Sequence, residues 1–340
     1  MKTNIPHSKY MLLLLLAVAA AGGTAAWLMW LRPLNVADDT YLYLDADDTK
    51  DSVSTKLGDA GGKAAAAGFR MAAGLTGYTV RTGRYALGKG ETGLRLFRML
   101  KHGRQTPLRL TLPSVRTLDR LAAVLGNRLM TDSTGWNKAF ADTTLIGIYG
   151  YNTATLPALF VPNTYEVYWD ITPEAFLQRM HKEHEAFWTE HRKQQAEDAG
   201  LTPNEVVTLA SIVDEETANN AEKPMVAGMY INRLRTNMPL QADPTIKFAL
   251  GDFSLRRIYH KHLEVESPYN TYRNTGLPPG PIRIPSIAGV DAVLNHVHHD
   301  YLYMCAKEDF SGKHNFARTY REHLANAARY VRALEQRNIK

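Results

Sequence analysis

The chain has 340 residues, 45% of them hydrophobic and 22% charged, with a formal net charge of +6 and a sequence pI near 9.2. That length suits two modest cores rather than one small domain, and the composition excludes a long disordered tail. A single cysteine, Cys305, excludes an internal disulfide framework and a Cys-based zinc cluster within the chain; the basic balance suits an acidic partner without choosing among nucleic acid, anionic lipid and a carboxylate-bearing polymer.

From Met11 to Leu31 the chain carries no charge. At 1.5 Å per residue this run spans about 30 Å, the thickness of a bilayer's hydrocarbon core, and predicts a transmembrane helix. Lys2, Lys9 and the terminal amine precede it and Arg32 follows, so the more positive N-terminal flank is expected in the cytoplasm and the body beyond residue 36 outside. The Ala-Gly stretch within the run leaves a cleaved signal peptide as the alternative; Trp27 and Trp30 at its far end suit interfacial anchoring of a retained helix.

A polar stretch from Asp38 to Thr55 and an Ala/Gly segment lead into Tyr78–Leu87, which reads as a strand. Leu94, Phe97 and Leu100 then recur at helical spacing up to Gly103, and residues 107–113, bounded by prolines, form a second strand candidate. Between Arg81 and Arg120 lie ten Lys or Arg against Glu91 and Asp119, marking a basic strand-helix-strand module. Its Gly88, Gly90 and Gly93 have dinucleotide-fingerprint spacing, but the second strand ends in Leu112-Pro113 with no acidic residue for a ribose and no further βα units follow. They read better as turn glycines in a small carbohydrate-binding module. Two short helices are expected between Ser114 and Gly150, then one long charged helix from Ile171 to Gly200, with His181, His184 and His191 on its solvated face.

Thr202-Pro203-Asn204-Glu205 opens the next helix with a Thr cap, Pro at the first position and Glu three residues after the cap. On its 3.6 period Val206, Leu209, Ala210 and Val213 form an apolar stripe that Glu216 continues, with Asp214 at the stripe's other edge and Glu215 opposite. A carboxyl against apolar neighbours and beside other acids is disfavoured as an anion, which makes Glu216 a candidate general acid. Helix geometry alone equally allows an acid bordering the core or paired with Arg233 or Arg235.

Downstream, Leu240-Gln241-Ala242-Asp243-Pro244-Thr245, Ser267-Pro268-Tyr269-Asn270-Thr271-Tyr272 and Gly276-Leu277-Pro278-Pro279-Gly280-Pro281-Ile282 hold amides, hydroxyls and aromatics in loops, the chemistry of sugar binding. With Leu209–Thr217, His314-Asn315-Phe316 and Glu322-His323, these stretches resemble the endolytic murein transglycosylases, the YceG-like family. The resemblance implies a lytic transglycosylase that cleaves the β-1,4 bond between N-acetylmuramic acid and N-acetylglucosamine in nascent strands, leaving 1,6-anhydro ends. It places the catalytic acid on Glu216, while Asp214 stands where relatives usually carry Glu or Gln. Gln241, Asp243, Tyr269 and Asn270 are the expected sugar-positioning residues, although Asp243 also suits a turn cap before Pro244.

No metal or cofactor is implied. The segment from His296 to Asp300 is crowded with histidines but reads as a helix end leading into a strand. The expected partners are peptidoglycan strands, the membrane, and peptidoglycan synthases with elongation or division proteins; nucleic acid is not expected. The expected fold is α+β: an anchor (1–36), a linker with a LysM-like basic module (37–165) and a larger mixed catalytic domain (166–340). A membrane-tethered muramidase using Asp214 or Asp243 as second carboxylate, and a non-enzymatic glycan-binding scaffold, are the competing readings.

Overall fold

A computed structural model describes residues 7–37, 40–88 and 90–337. Lys2 of the expected charge bias, Asp38 at the start of the polar stretch and Lys89 within the glycine triplet lie outside the described residues. Helices and short two-stranded sheets make up the fold, and the chain divides into two compact units, residues 1–110 with 166–171, and residues 111–165 with 172–340.

In the first unit α1 (His7–Ala26) runs into a π-helical turn, Trp27–Leu31, and together they supply an apolar helix, Lys9–Leu31, long enough to cross a membrane. β1 (Tyr41–Leu44), α2 (Lys50–Gly61), α3 (Lys63–Leu75), β2 (Gly83–Ala86), α4 (Gly93–His102) and β3 (Leu108–Thr111) follow. The stretch read as merely polar thus contains a strand and a helix. Asp48 accepts from Ser52 and Lys56 there, and Thr49 and Ser52 close a capping box on α2, so the polar residues organise structure instead of marking a linker.

The strand expected over Tyr78–Leu87 is confined to Gly83–Ala86, and it pairs antiparallel with β1, Tyr41 opposite Ala86 and Leu44 opposite Gly83. β3 instead pairs with β4 (Thr164–Val167), so the two strands expected in one module belong to different sheets. Leu42, Leu44, Val53, Leu57, Phe69, Tyr85, Leu96 and Leu100 make the core of this unit. α4 matches its expected course, capped by Thr92 and ending on Gly103 in the left-handed region. Gly93 opens α4 because a Cβ there would collide with the Met29 carbonyl oxygen, a steric need that a turn glycine does not describe.

The second unit begins with three short helices rather than two: α5 (Leu118–Gly126), α6 (Ser133–Ala141) and α7 (Thr143–Gly147). Asp142 ends α6 and its carboxylate accepts from Thr144 and Leu145, starting α7. After a 3₁₀ turn at Leu156–Leu159, the single long helix expected over Ile171–Gly200 is split into α8 (Pro173–Phe187) and α9 (Glu190–Asp198). Trp188 leaves helical geometry to bury its indole, and Thr189 caps α9 by accepting from the Arg192 amide. His184, expected on a solvated face, is buried, with Nε2 3.1 Å from the Tyr151 hydroxyl.

α10 (Pro203–Glu216) carries the predicted capping box: the Glu205 carboxylate accepts from the Thr202 amide at 2.7 Å and Thr202 Oγ1 accepts from the Glu205 amide. Val206, Leu209, Ala210 and Val213 are buried, so its apolar stripe is the stripe read from the sequence. α11 (Lys223–Arg235), α12 (Asp243–Leu250), α13 (His260–Leu263), α14 (Ile287–Leu294), β5 (Tyr303–Ala306), β6 (His314–Ala317) and α15 (Tyr320–Gln336) complete the unit. β5 and β6 pair antiparallel, with Tyr303 opposite Ala317 and Ala306 opposite His314.

Candidate active site

α10 delivers three successive acids to three different environments. The Asp214 side chain is only 3% exposed: its carboxylate takes an ion pair from buried Lys223 at 2.7 Å and hydrogen bonds from the Ser286 amide and hydroxyl at 2.5 and 3.1 Å. α14 packs so closely here that a Cβ on Gly289 would sit 2.5 Å from Asp214 Oδ1. Glu215 takes both Nε and Nη2 of Arg116 at 2.8 Å and Nη1 of Arg283 at 2.8 Å. These two acids are committed to holding the unit together.

Glu216, at the last position of the helix, turns into a cleft of about 460 Å³ lined also by Tyr230, Arg233, Gln241, Asp243 and Tyr272. Although the residue keeps some exposure through the cleft mouth, protein atoms surround its carboxyl closely. Burial, with Asp243's charge adding to it, pushes the pKa up to about 7; the Tyr230 hydroxyl, which donates to Oε1 at 2.7 Å, and the nearby His314 and Arg233 pull the other way. The carboxyl is not paired to an arginine. Arg233 spends Nε on the Leu302 carbonyl at 2.6 Å and Nη1 on the Pro239 and Leu240 carbonyls.

A carboxyl that titrates near neutrality and opens onto a cleft is suited both to give and to take a proton.

The loop carrying Gln241 and Asp243 is held by the loop carrying Thr271. The Thr271 carbonyl accepts from the Gln241 amide at 3.0 Å, and Thr271 Oγ1 accepts from the Ala242 amide at 3.0 Å. Gln241 takes a left-handed φ of 50°, a conformation that a non-glycine residue adopts at a cost and that here turns the chain sharply before α12. Asp243 opens α12 without capping it; its Oδ1 accepts from the Tyr272 hydroxyl at 2.5 Å. The expected turn-cap role of Asp243 is therefore replaced by a link to Tyr272.

Of the residues singled out from the sequence, Glu216, Gln241 and Asp243 line one cleft, whereas Tyr269 and Asn270 do not. Tyr269 packs its ring 4.7 Å from Phe248. Asn270 is fully buried and ties its loop by donating to the Leu263 and Val265 carbonyls and accepting from the Tyr272 amide. It thereby places Tyr272, the aromatic of that motif that reaches the cleft.

Tyr230 and Tyr303 are not singled out by the sequence, and Tyr272 is noted there only as a member of a loop motif, not as a residue of the site. They come from α11, a loop and β5, and no local pattern ties them to Glu216; the repeated Tyr of the Tyr269–Tyr272 stretch was the nearest signal. His314, noted only as part of a C-terminal pattern, stands at the cleft with Nδ1 3.0 Å from buried Glu222, which also accepts from the His314 amide at 2.7 Å and the Thr217 hydroxyl at 3.1 Å. Cys305 is half-buried and lines the same cleft from β5.

A profile of the YceG-like family matches residues 42–329. A protein of Bacillus subtilis (strain 168) named endolytic murein transglycosylase is 34% identical over 196 residues, 57% of this chain and 53% of that protein. One of the same name from Streptococcus pneumoniae (strain D39) is 36% identical over 135 residues, 38% of this chain and 24% of that protein. The matched part thus spans about half the length of the first relative and about a quarter of the second. Among solved structures, a YceG-like protein of Listeria monocytogenes aligns with a TM-score of 0.54 and 27% identity, covering 84% of this chain and 98% of that one.

Proposed function

The chain belongs to the YceG-like family, and from that premise we propose that it is an endolytic lytic transglycosylase that cuts nascent peptidoglycan strands between N-acetylmuramic acid and N-acetylglucosamine. The observation that carries this reading is Glu216: a carboxyl raised to about 7, at the floor of a cleft whose walls supply hydroxyls, an amide and aromatic faces. Two relatives bearing the name endolytic murein transglycosylase support it.

In the proposed reaction protonated Glu216 donates from Oε2 to the glycosidic oxygen while Tyr230 holds Oε1. The carboxylate so formed accepts the proton of the muramyl 6-hydroxyl as that oxygen closes on the anomeric carbon. One group serves both steps, and no water enters. Gln241 and Asp243, with Tyr272 fixing Asp243, position the sugar and face the positive charge that develops at the anomeric carbon; Tyr269 and Asn270 contribute by holding the loop that presents Tyr272.

The charge bias around the apolar helix supports placing the body outside the cytoplasmic membrane, beside emerging strands. Synthases and elongation or division proteins are the partners that this placement suits. A LysM-like glycan-binding role is proposed for the module within residues 37–165, on its basic composition.

The hydrolytic alternative would draw on Asp243, another carboxylate in the same cleft; the names of the relatives do not favour it. Product mass separates the two. Digestion of purified peptidoglycan by the full chain is expected to yield anhydro-muramyl ends, lighter by one water than the reducing ends of a muramidase; binding without cleavage would leave a glycan-binding scaffold.

A further inference from the structure

The apolar helix does not end in a free linker. Trp30, in its last turn, meets Phe97 edge-on at 6.3 Å, and Phe97 packs on Phe69 of α3 at 6.1 Å. Gly68 of α3 lies so near Met29 that a Cβ there would stand 3.1 Å from the Met29 carbonyl oxygen. The helix Lys9–Leu31 has 23 residues. At about 1.5 Å each it is slightly longer than a hydrocarbon core of about 30 Å, so Met29 stands at the membrane boundary. α3, seated against Met29, stands at that boundary too.

The outward side of α3 is apolar. On a helical period Ala64, Ala67, Met71 and Leu75 share one stripe, with Gly68 at the edge towards the span and Lys63 and Arg70 at the opposite edge. Leu75 is 81% exposed, the most exposed large hydrophobic side chain among the described residues, and Met71 is 51% exposed. No Asp or Glu occurs between Asp59 and Glu91, whereas Lys63, Arg70, Arg81, Arg84 and Lys89 do. A helix with an apolar stripe, a cationic edge and no acidic residue has the make-up of one that lies in a membrane interface.

We infer that α3 is a second membrane contact, lying on the leaflet at the C-terminal end of the span with Met71 and Leu75 in the headgroup and acyl boundary and Lys63 and Arg70 against lipid phosphates. The inference rests on reading Lys9–Leu31 as a membrane span. Two contacts, one crossing and one lying flat, fix the first unit on the bilayer surface against rotation and tilt.

The test uses the full chain with Cys305→Ser, reconstituted in vesicles of phosphatidylcholine and phosphatidylglycerol. Single spin labels are placed at Val18→Cys in the span, Met71→Cys and Leu75→Cys on α3, and Ile148→Cys as an exposed reference in the other unit, and each is probed with oxygen and with a water-soluble nickel chelate. The expected result is an oxygen-to-nickel accessibility ratio at positions 71 and 75 several-fold above that at 148, approaching the ratio at 18. A ratio at 71 and 75 equal to that at 148, with 18 still in the bilayer, would overturn the inference alone. Loss of access to both probes would overturn it in favour of a protein partner, and a water-like ratio at 18 would overturn the span and the inference together.

Discussion

The Tyr230 hydroxyl donates to Glu216 Oε1 at 2.7 Å. Burial raises both groups, Tyr230 well above the usual phenol range, so the phenol remains the donor throughout the working pH of the cleft. The bond favours the Glu216 anion and thereby limits how far burial can raise it. A hydrogen bond to a charged group contributes about 1.5–3 kcal/mol, and one pKa unit is about 1.4 kcal/mol. Tyr230→Phe is therefore expected to move the alkaline limb of the kcat/KM profile upward by about one unit or more, while reducing turnover through loss of orientation. An unmoved limb would separate Tyr230 from the proton transfer.

Asp243 acts on the same carboxyl in the opposite sense to Tyr230, because its charge raises the Glu216 pKa. Asp243→Asn should move the alkaline limb downward, so that less of Glu216 is protonated at neutral pH. Tyr272→Phe, which removes the hydroxyl that Asp243 accepts from, should disturb KM more than the limb. Steady-state profiles of the two variants, each against the parent, check both statements.

The raised pKa of Glu216 also has a cost in stability. The folded state holds this proton up to about pH 7, whereas the unfolded chain releases it around the ordinary carboxyl value of 4.5. Between those values the folded state binds more protons than the unfolded state, so the contribution of Glu216 to stability is full below the lower value and is lost as pH rises through the upper one. Glu216→Gln, neutral at every pH, is accordingly expected to unfold at a higher Tm than the parent at pH 8, with the difference shrinking at pH 5. Thermal unfolding of both proteins at the two pH values measures it.

Asp214 and Lys223 are a buried pair, with side chains 3% and 7% exposed. Removing one partner leaves the other charged and unsatisfied, which costs about 3–5 kcal/mol. Asp214→Ala should lower the urea midpoint by a large fraction of the total stability, and Lys223→Met should do the same from the other side. The buried position of Asp214, remote in role from the cleft, also removes it as the second carboxylate of a hydrolase.

The apolar stripe of α10 and its capping box were legible because both are local: they depend on residues three or four apart, which the sequence displays directly. The placing of Glu216 on the buried edge followed from the same period. The break between α8 and α9 was not legible, since the periodic pattern runs on through it and only the burial of Trp188 in tertiary contact makes Thr189 a cap. The pairing of β2 with β1 and of β3 with β4 was hidden for a related reason: strands of four residues carry too little alternation to announce their partners.

Within the site, the partners of Glu216 and Asp243 were the least visible part. Tyr230 lies 14 residues from Glu216, and Tyr272 lies 29 from Asp243. Each hydroxyl reaches its acid only because α11 packs on α10 and Thr271 ties its loop to the residues that open α12. A motif of amides and aromatics identified the loop but not which of its side chains turns inward; Asn270 looks like a ligand in the sequence and proves to be the buried tie that directs Tyr272.

The central claim is that Glu216 moves the proton in a cleavage without water. The measurement that tests it most directly is mass spectrometry of peptidoglycan digested in parallel by the full chain and by its Glu216→Gln variant, with glycan binding of both measured alongside. Anhydro-muramyl ends from the parent only, with binding retained by the variant, is the predicted result; anhydro ends from the variant at the parent's rate, or reducing ends from the parent, would contradict it.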